Sequence, residues 1–192
     1  GVASGRRVDN LLYSGITEPA SGWGLVRNAL PGVPDTVAVP GMVVAAGPVR
    51  LAVLAVRPFA PTAGSDTGDN SDVNDSSLVL RVTSGTLRVV LSGDLEEAGQ
   101  DNALNAASDL SAEVLLVPHH GSAHQSPGFL GAVHESVALV SVGADNDYGH
   151  PAARTIMTVA GTGARIYRTD LNGSIAVARR DGQLVVTTER GG

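Results

Sequence analysis

The sequence holds no cysteine and no lysine. The first absence rules out disulfides and thiolate zinc sites and leaves the redox compartment open. The second leaves all 13 cationic side chains to arginine. Beside the richness in Ala, Val and Gly, that reads as a codon bias rather than a functional choice. Aromatic residues are few, one Trp, three Tyr and two Phe. The core must therefore be built from Val, Leu, Ala and Ile, a palette for β-strands with small-residue helices between them. A formal net charge of −6 with no arginine stripe argues against a broad nucleic-acid footprint. It leaves room for nucleic-acid chemistry at a metal site, where the ion supplies the positive charge. Long hydrophobic runs are missing too. The most apolar region, Val37 to Val56, is broken by Pro40, Gly41, Gly47, Pro48 and Arg50, so it reads as two strands and a turn rather than a membrane span. The chain starts at Gly1 without Met or a signal-like segment, which predicts that it is a piece of something longer. Its 192 residues fit one domain.

Along the chain, VDNLLYSG reads as a short strand and SGWGLVRNAL as a helix stopped before Pro31. TVAVPGMVVAAG and PVRLAVLAVRP read as paired strands punctuated by Gly and Pro. Residues 59–74 are polar and breaker-rich and predict a flexible loop. Its acids Asp66, Asp69 and Asp72, continued by Asp75, lack the spacing and distal Glu of a calcium loop and predict a solvated acidic segment. A hairpin turning at Ser84-Gly85 follows, then a helix in EEAGQDNALNAASDL and a strand in AEVLLVP. Next come a helix begun at Ser126-Pro127, a strand VALVSVG, a helix AARTIMTVAGTG, a strand ARIYRTD and a last hairpin around Asp181-Gly182. Strand and helix alternate through the second half, which predicts an α/β fold.

In open α/β sheets functional groups gather beyond the carboxyl ends of strands. Here LRVVLSGD ends in Asp94, AEVLLVP runs into His119, His120, Gly121 and Ser122, VALVSVGADNDYGHP brings Asn146, Tyr148 and His150, and ARIYRTD ends in Thr169 and Asp170. Each has a bland reading: Asp94 as a helix N-cap, His150 as a cap before Pro151. His124 and His134 receive no role. The pair His119-His120 is harder to explain by packing, because it follows five apolar or Pro residues and Gly121 lets the backbone approach closely. With Asp94 in the preceding strand–helix unit, the pair reads as a source of metal ligands. Imidazole and carboxylate without thiol suit Zn²⁺ or Mn²⁺. One Asp and one or two His do not complete a site of three or more ligands.

The run NDSSLVLRV…LRVVLSGDLE…AEVLLVPHHGSAHQS…VSVGADNDYGHP…ARIYRTDLNGSI, in this order and spacing, resembles the metallo-β-lactamase-like C-terminal domain of ComEC-type DNA internalisation (competence) proteins. The likeness runs from about Val37 to Ile175. It implies an αββα sandwich with a two-metal site at one edge, of which residues 1–192 form roughly the latter two-thirds as a single domain. It implies Asp94 as the carboxylate bridging two Zn²⁺ or Mn²⁺ ions, and one of His119 and His120 as a histidine ligand, with the other facing substrate. His119 is assigned here to the metal and His120 to catalysis, although the residues alone leave the two interchangeable. Asn74 and Ser77 match the family's Asn–Ser element and are assigned to the substrate rim. Asn146, Tyr148 and His150 would line the active-site rim with Thr169 and Asp170, His150 touching a phosphate oxygen or a leaving group, and Ser122 would serve a structural or phosphate-binding role. The family's H-x-H-x-D-H motif lies upstream of the region matching residues 1–36, and the first histidine here is His119.

What the resemblance implies for function is a metal-dependent phosphodiesterase, cutting DNA during uptake, in the intact parent rather than in this chain alone. The parent would be a bacterial cell-membrane protein, with this part its soluble domain and the channel region its partner. A hydrolase of small phosphoesters and a catalytically incomplete interaction module are the competing readings. Absent first strands would leave an apolar sheet edge or face open and predict self-association.

Overall fold

Short apolar runs build a mixed seven-stranded sheet in the computed structural model, which describes residues 4–17, 19–57 and 71–191. Its strands are β3 (Val43–Ala46), β4 (Val49–Ala55), β5 (Val79–Ser84), β6 (Leu87–Leu91), β7 (Val114–Leu116), β8 (Val137–Val140) and β9 (Arg165–Arg168), adjacent in sequence order. Tight turns at Gly47-Pro48 and Gly85-Thr86 join β3 to β4 and β5 to β6, and with β4 against β5 all of β3 to β6 are antiparallel. From β6 onward each return passes through a helix, α3 (Glu97–Ala106), α4 (Pro127–Val133) and α5 (Ala153–Gly161), so β6 to β9 run parallel. Their carboxyl ends therefore open on one edge, which is where the polar residues of the sequence gather.

Two smaller pairs complete the fold. Strand β1 (Leu11–Tyr13) pairs in parallel with β2 (Asp35–Val37) across helix α1 (Ala20–Ala29), and Tyr13 stacks on Trp23 at 4.8 Å. Strands β10 (Ile175–Arg180) and β11 (Gln183–Thr188) form the hairpin expected around Asp181-Gly182. Helix α4 begins as expected: Pro127 opens it and the Ser126 hydroxyl accepts from the Phe129 amide.

Three expectations are corrected. The loop expected over 59–74 is not a loop throughout. Residues 58–70 and their Asp66 and Asp69 lie outside the described residues, while Ser71–Asn74 form a short helix α2. Asp75 is not a solvated acid: it is buried, and its carboxylate accepts from the Glu96 amide at 3.0 Å, capping α3 from a distant part of the chain. The helix expected over 96–110 also ends early, at Ala106. A last short helix, α6 (Thr169–Asn172), follows β9 directly.

The sheet has two unlike faces. On one, Val79, Val90, Leu115, Ala138 and Val140 are buried under Phe129, Leu130, Val133 and Val159 of the helices. On the other, strand register aligns Leu51, Val82 and Val89 in one row and Leu116, Leu139 and Tyr167 in another, all only partly buried. Edge strand β3 is exposed along its whole length, with Val43 at 53% and Val44 at 42% of full exposure. Among the described residues no helix is long and apolar enough to cross a membrane.

One surface pair gives an acid-sensitive handle. The Asp109 carboxylate accepts from the Ser111 amide at 2.8 Å and pairs with Arg81 at 2.7 Å. Ser111 first, then Arg81, lowers its pKa from 3.8 to about 2. A lowered folded-state pKa stabilises above the unfolded value and is lost as pH falls through the folded one. Because Asp109 is half exposed, Asp109→Asn should cost only about 0.5–1 kcal/mol at pH 7 after solvent screening. In urea titrations that difference should shrink between about pH 4 and pH 2; a constant difference would rule the pairing out.

Candidate active site

Asp94 leaves β6 after Gly93, whose φ of +55° turns the chain against Ser77. The Ser77 hydroxyl accepts from the Asp94 amide at 3.3 Å, which fixes the start of the loop carrying the carboxylate. The next strand end is tied to this one, since the His119 amide donates to the Gly93 carbonyl at 3.0 Å. Then the backbone does something that few side chains tolerate. His119 and His120 both occupy the left-handed region, at φ 47° and 55°, and Gly121 follows at φ +78°. Non-glycine residues in this region cost roughly 1–2 kcal/mol each, and such local strain gathers at functional sites.

The consequence is that the two imidazoles point to different partners. Nδ1 of His120 lies 2.7 Å from the Ser141 carbonyl, which can only accept, so Nδ1 carries a hydrogen and in the neutral ring Nε2 holds the lone pair. That Nε2 faces Asp94 Oδ1 at 3.6 Å. Nδ1 of His119 instead lies 3.6 Å from Glu96 Oε1 and has no hydrogen-bond partner among the described residues. Glu96 accepts from the Asn74 amide side chain at 3.1 Å. The His119 ring crosses that of His150 edge-on at 5.5 Å. Burial, and then the charges of His119 and His120, push the His150 pKa below the usual histidine value.

Beside this cluster opens a cleft of about 620 Å³ lined by His120, Ser141, Val142, Gly143, Asp145, Asn146, Asp147, Tyr148, His150 and Thr169. Asn146 shapes its rim: its side chain accepts from the Tyr148 amide at 2.9 Å and donates to the His150 carbonyl at 2.5 Å. The Thr169 hydroxyl both accepts from the Val142 amide and donates to the Val142 carbonyl, each at 2.7 Å, which holds the exit of β8.

The structure thus brings together Asp94, His119, His120, Asn146, Tyr148, His150 and Thr169. Asn74 and Ser77 stand behind them, holding Glu96 and the Asp94 amide. Ser122 and Asp170 point elsewhere. Ser122 is buried, its hydroxyl accepting from the His124 amide and the Gln125 side chain. Asp170 is paired with Arg168, which lowers its pKa. Glu96 is the residue that the sequence reading passed over. Its position two residues after Asp94 was the available signal, masked by its resemblance to an ordinary first-turn acid. Among the described residues no group of three or more His, Asp or Glu side chains is arranged to hold a metal ion. The pair Asp94–His120 does suit two ligands of one ion: donors at about 2.1 Å subtend about 3.4 Å at a tetrahedral centre.

No protein-family model matches the chain. Over 108 residues, 56% of the chain, it is 35% identical to the ComE operon protein 3 of Bacillus subtilis (strain 168). Over 108 residues, 55% of the chain, it is 37% identical to the competence protein ComA of Neisseria gonorrhoeae. It is also 33% identical over 87 residues to the uncharacterized protein YcaI of Escherichia coli (strain K12). The chain spans 14% and 16% of the length of the two competence proteins. Their names agree with the resemblance to ComEC-type proteins drawn from the motifs.

Proposed function

We propose that this chain is part of a metal-dependent phosphodiesterase that acts on DNA during uptake, with Asp94 and His120 as ligands from this part of the site. The observation that carries the reading is the His120 side chain. Its Nδ1 is committed to the Ser141 carbonyl, so the neutral imidazole turns its Nε2 lone pair toward the Asp94 carboxylate at 3.6 Å. Two electron-rich donors so placed call for a cation. The Nδ1–H to carbonyl bond is the outer-shell contact that orients metal-binding imidazoles. Zn²⁺ and Mn²⁺ both suit one imidazole and one carboxylate. When bound, such an ion lowers the pKa of its water and neutralises charge on a phosphoryl oxygen.

The other residues have supporting work in this reading. His150, kept neutral near pH 7 by burial and its neighbours, hydrogen-bonds a phosphate oxygen. Glu96, steadied by Asn74, orients the His119 ring toward His150. The half-covered sheet face fits one half of an αββα sandwich, whose second sheet would bury Leu51, Val82, Val89, Leu116 and Leu139. The exposed edge β3 is the natural route for self-association. The competence-protein relatives support a bacterial membrane-associated parent, whose channel region would be the neighbour of this part.

The competing reading, a non-catalytic module, draws on the missing third ligand among the described residues. Calorimetric titration of the metal-stripped chain with Mn²⁺ and Zn²⁺ separates the two. Saturable uptake that disappears in Asp94→Ala is expected of the chain, and hydrolysis of bis(4-nitrophenyl) phosphate in the presence of metal is expected of the intact parent. A chain that takes up neither ion leaves only the module.

A further inference from the structure

Tyr148 stands apart from every other described aromatic residue. Tyr13 and Trp23 stack on each other, Phe129 is buried in the core and Tyr167 is partly buried in the sheet, whereas Tyr148 is 87% exposed. A single exposed aromatic needs no explanation on its own. This one is held in place. Asn146 binds the backbone on both sides of it, accepting from the Tyr148 amide and donating to the His150 carbonyl. Its ring lies within 20° of parallel to the His150 ring, centroids 6.2 Å apart, on the wall of the cleft that holds His120.

We infer that Tyr148 is a platform on which an unpaired nucleobase stacks, so that the cleft takes a single strand in preference to a duplex. This rests on the reading of the site as one that handles nucleic acid. The charges around the ring decide what can lie on it. Asp145 and Asp147 line the same cleft, and among the described residues no arginine does. Two carboxylates oppose a phosphate there but not a neutral planar base, whose amino groups they can accept from. The strand must then enter base-first over Tyr148, with its phosphates toward His120 and His150. In a duplex the base faces are covered by their neighbours, so only an unstacked base can meet the ring.

The test uses the chain with Mn²⁺ and phosphorothioate-linked oligonucleotides that resist cleavage, at one fixed salt concentration. Fluorescence anisotropy should show tighter binding of a labelled single strand than of its duplex. Tyr148→Ala should weaken single-strand binding by about tenfold or more, while Tyr148→Phe stays within about twofold because the ring face is kept. A 2-aminopurine base in the strand should be quenched by the wild type and Tyr148→Phe, and not by Tyr148→Ala. Unchanged binding by Tyr148→Ala, a preference for duplex, or no binding of either strand form overturns the inference. Uptake of Mn²⁺ by calorimetry, measured in parallel, keeps the two readings apart. Metal uptake without Tyr148-dependent binding discards the platform and leaves the metal site; Tyr148-dependent binding without metal uptake does the reverse.

Discussion

Replacing His120 with glycine should remove the metal uptake proposed for the chain while leaving the stability of its fold close to that of the wild type. The two effects have separate causes. His120 sits at φ 55°, where an L-residue costs roughly 1–2 kcal/mol and glycine almost nothing. Its ring is half exposed, so the packing lost on truncation is small. The contact with the Ser141 carbonyl is lost as well, at a cost of about 0.5–1.5 kcal/mol. The two terms oppose each other, and the thermal midpoint should hold within about 3 °C. Metal uptake should fall by more than the roughly 10–100-fold that follows loss of an outer-shell partner, since the ligand itself is gone. His119→Gly is the paired control. Its Nδ1 faces Glu96 rather than Asp94, so it should relieve similar backbone strain and leave uptake in place. If calorimetry finds uptake lost in His119→Gly and kept in His120→Gly, the ligand assignment to His120 is wrong.

That pairing shows where reading the sequence reached and where it stopped. The strand ends that carry Asp94, the two histidines and the Asn146–His150 turn were legible, because parallel strands joined by helices must present their carboxyl ends together. Which histidine meets Asp94 was not. In a regular strand, alternation would have decided it, but two consecutive left-handed residues break that rule and aim each ring by local dihedrals. Asp75 was misplaced for a related reason. As one of several acids recurring at intervals of three it looks solvated, and only the tertiary fold brings it under the first turn of α3. Glu96 escaped notice because its partners, Asn74 and His119, lie 22 and 23 residues away in opposite directions along the chain.

Gly121→Val should be the most damaging single change in this part of the molecule, at about 3 kcal/mol or more. Two terms add. At φ +78° a β-branched residue bears the full left-handed penalty of roughly 1–2 kcal/mol. A Cβ built there would also lie 2.7 Å from Pro151 Cβ and 3.3 Å from its Cα, and forcing volume into packed surroundings adds roughly 1–3 kcal/mol. Backbone movement offers little relief, because the Gly121 carbonyl accepts from the Ala152 amide at 2.8 Å and the next residue is fastened by the Thr155 hydroxyl at 2.6 Å. For a chain of this size the loss corresponds to a fall of about 6–12 °C in thermal midpoint. Gly131→Ala supplies the opposite sign. It lies on the exposed side of α4 with nothing within 4 Å of a built Cβ, so it should gain about 0.5–1 kcal/mol from helix propensity. The contrast matters for the site as well as for stability. Gly121 is the last of three left-handed residues, and the contact it allows with Pro151 brings the loop carrying His150 against the one carrying His120. A Gly121→Val protein that melts within a degree or two of the wild type would mean that Pro151 yields easily, and that the juxtaposition of the two loops does not depend on this glycine.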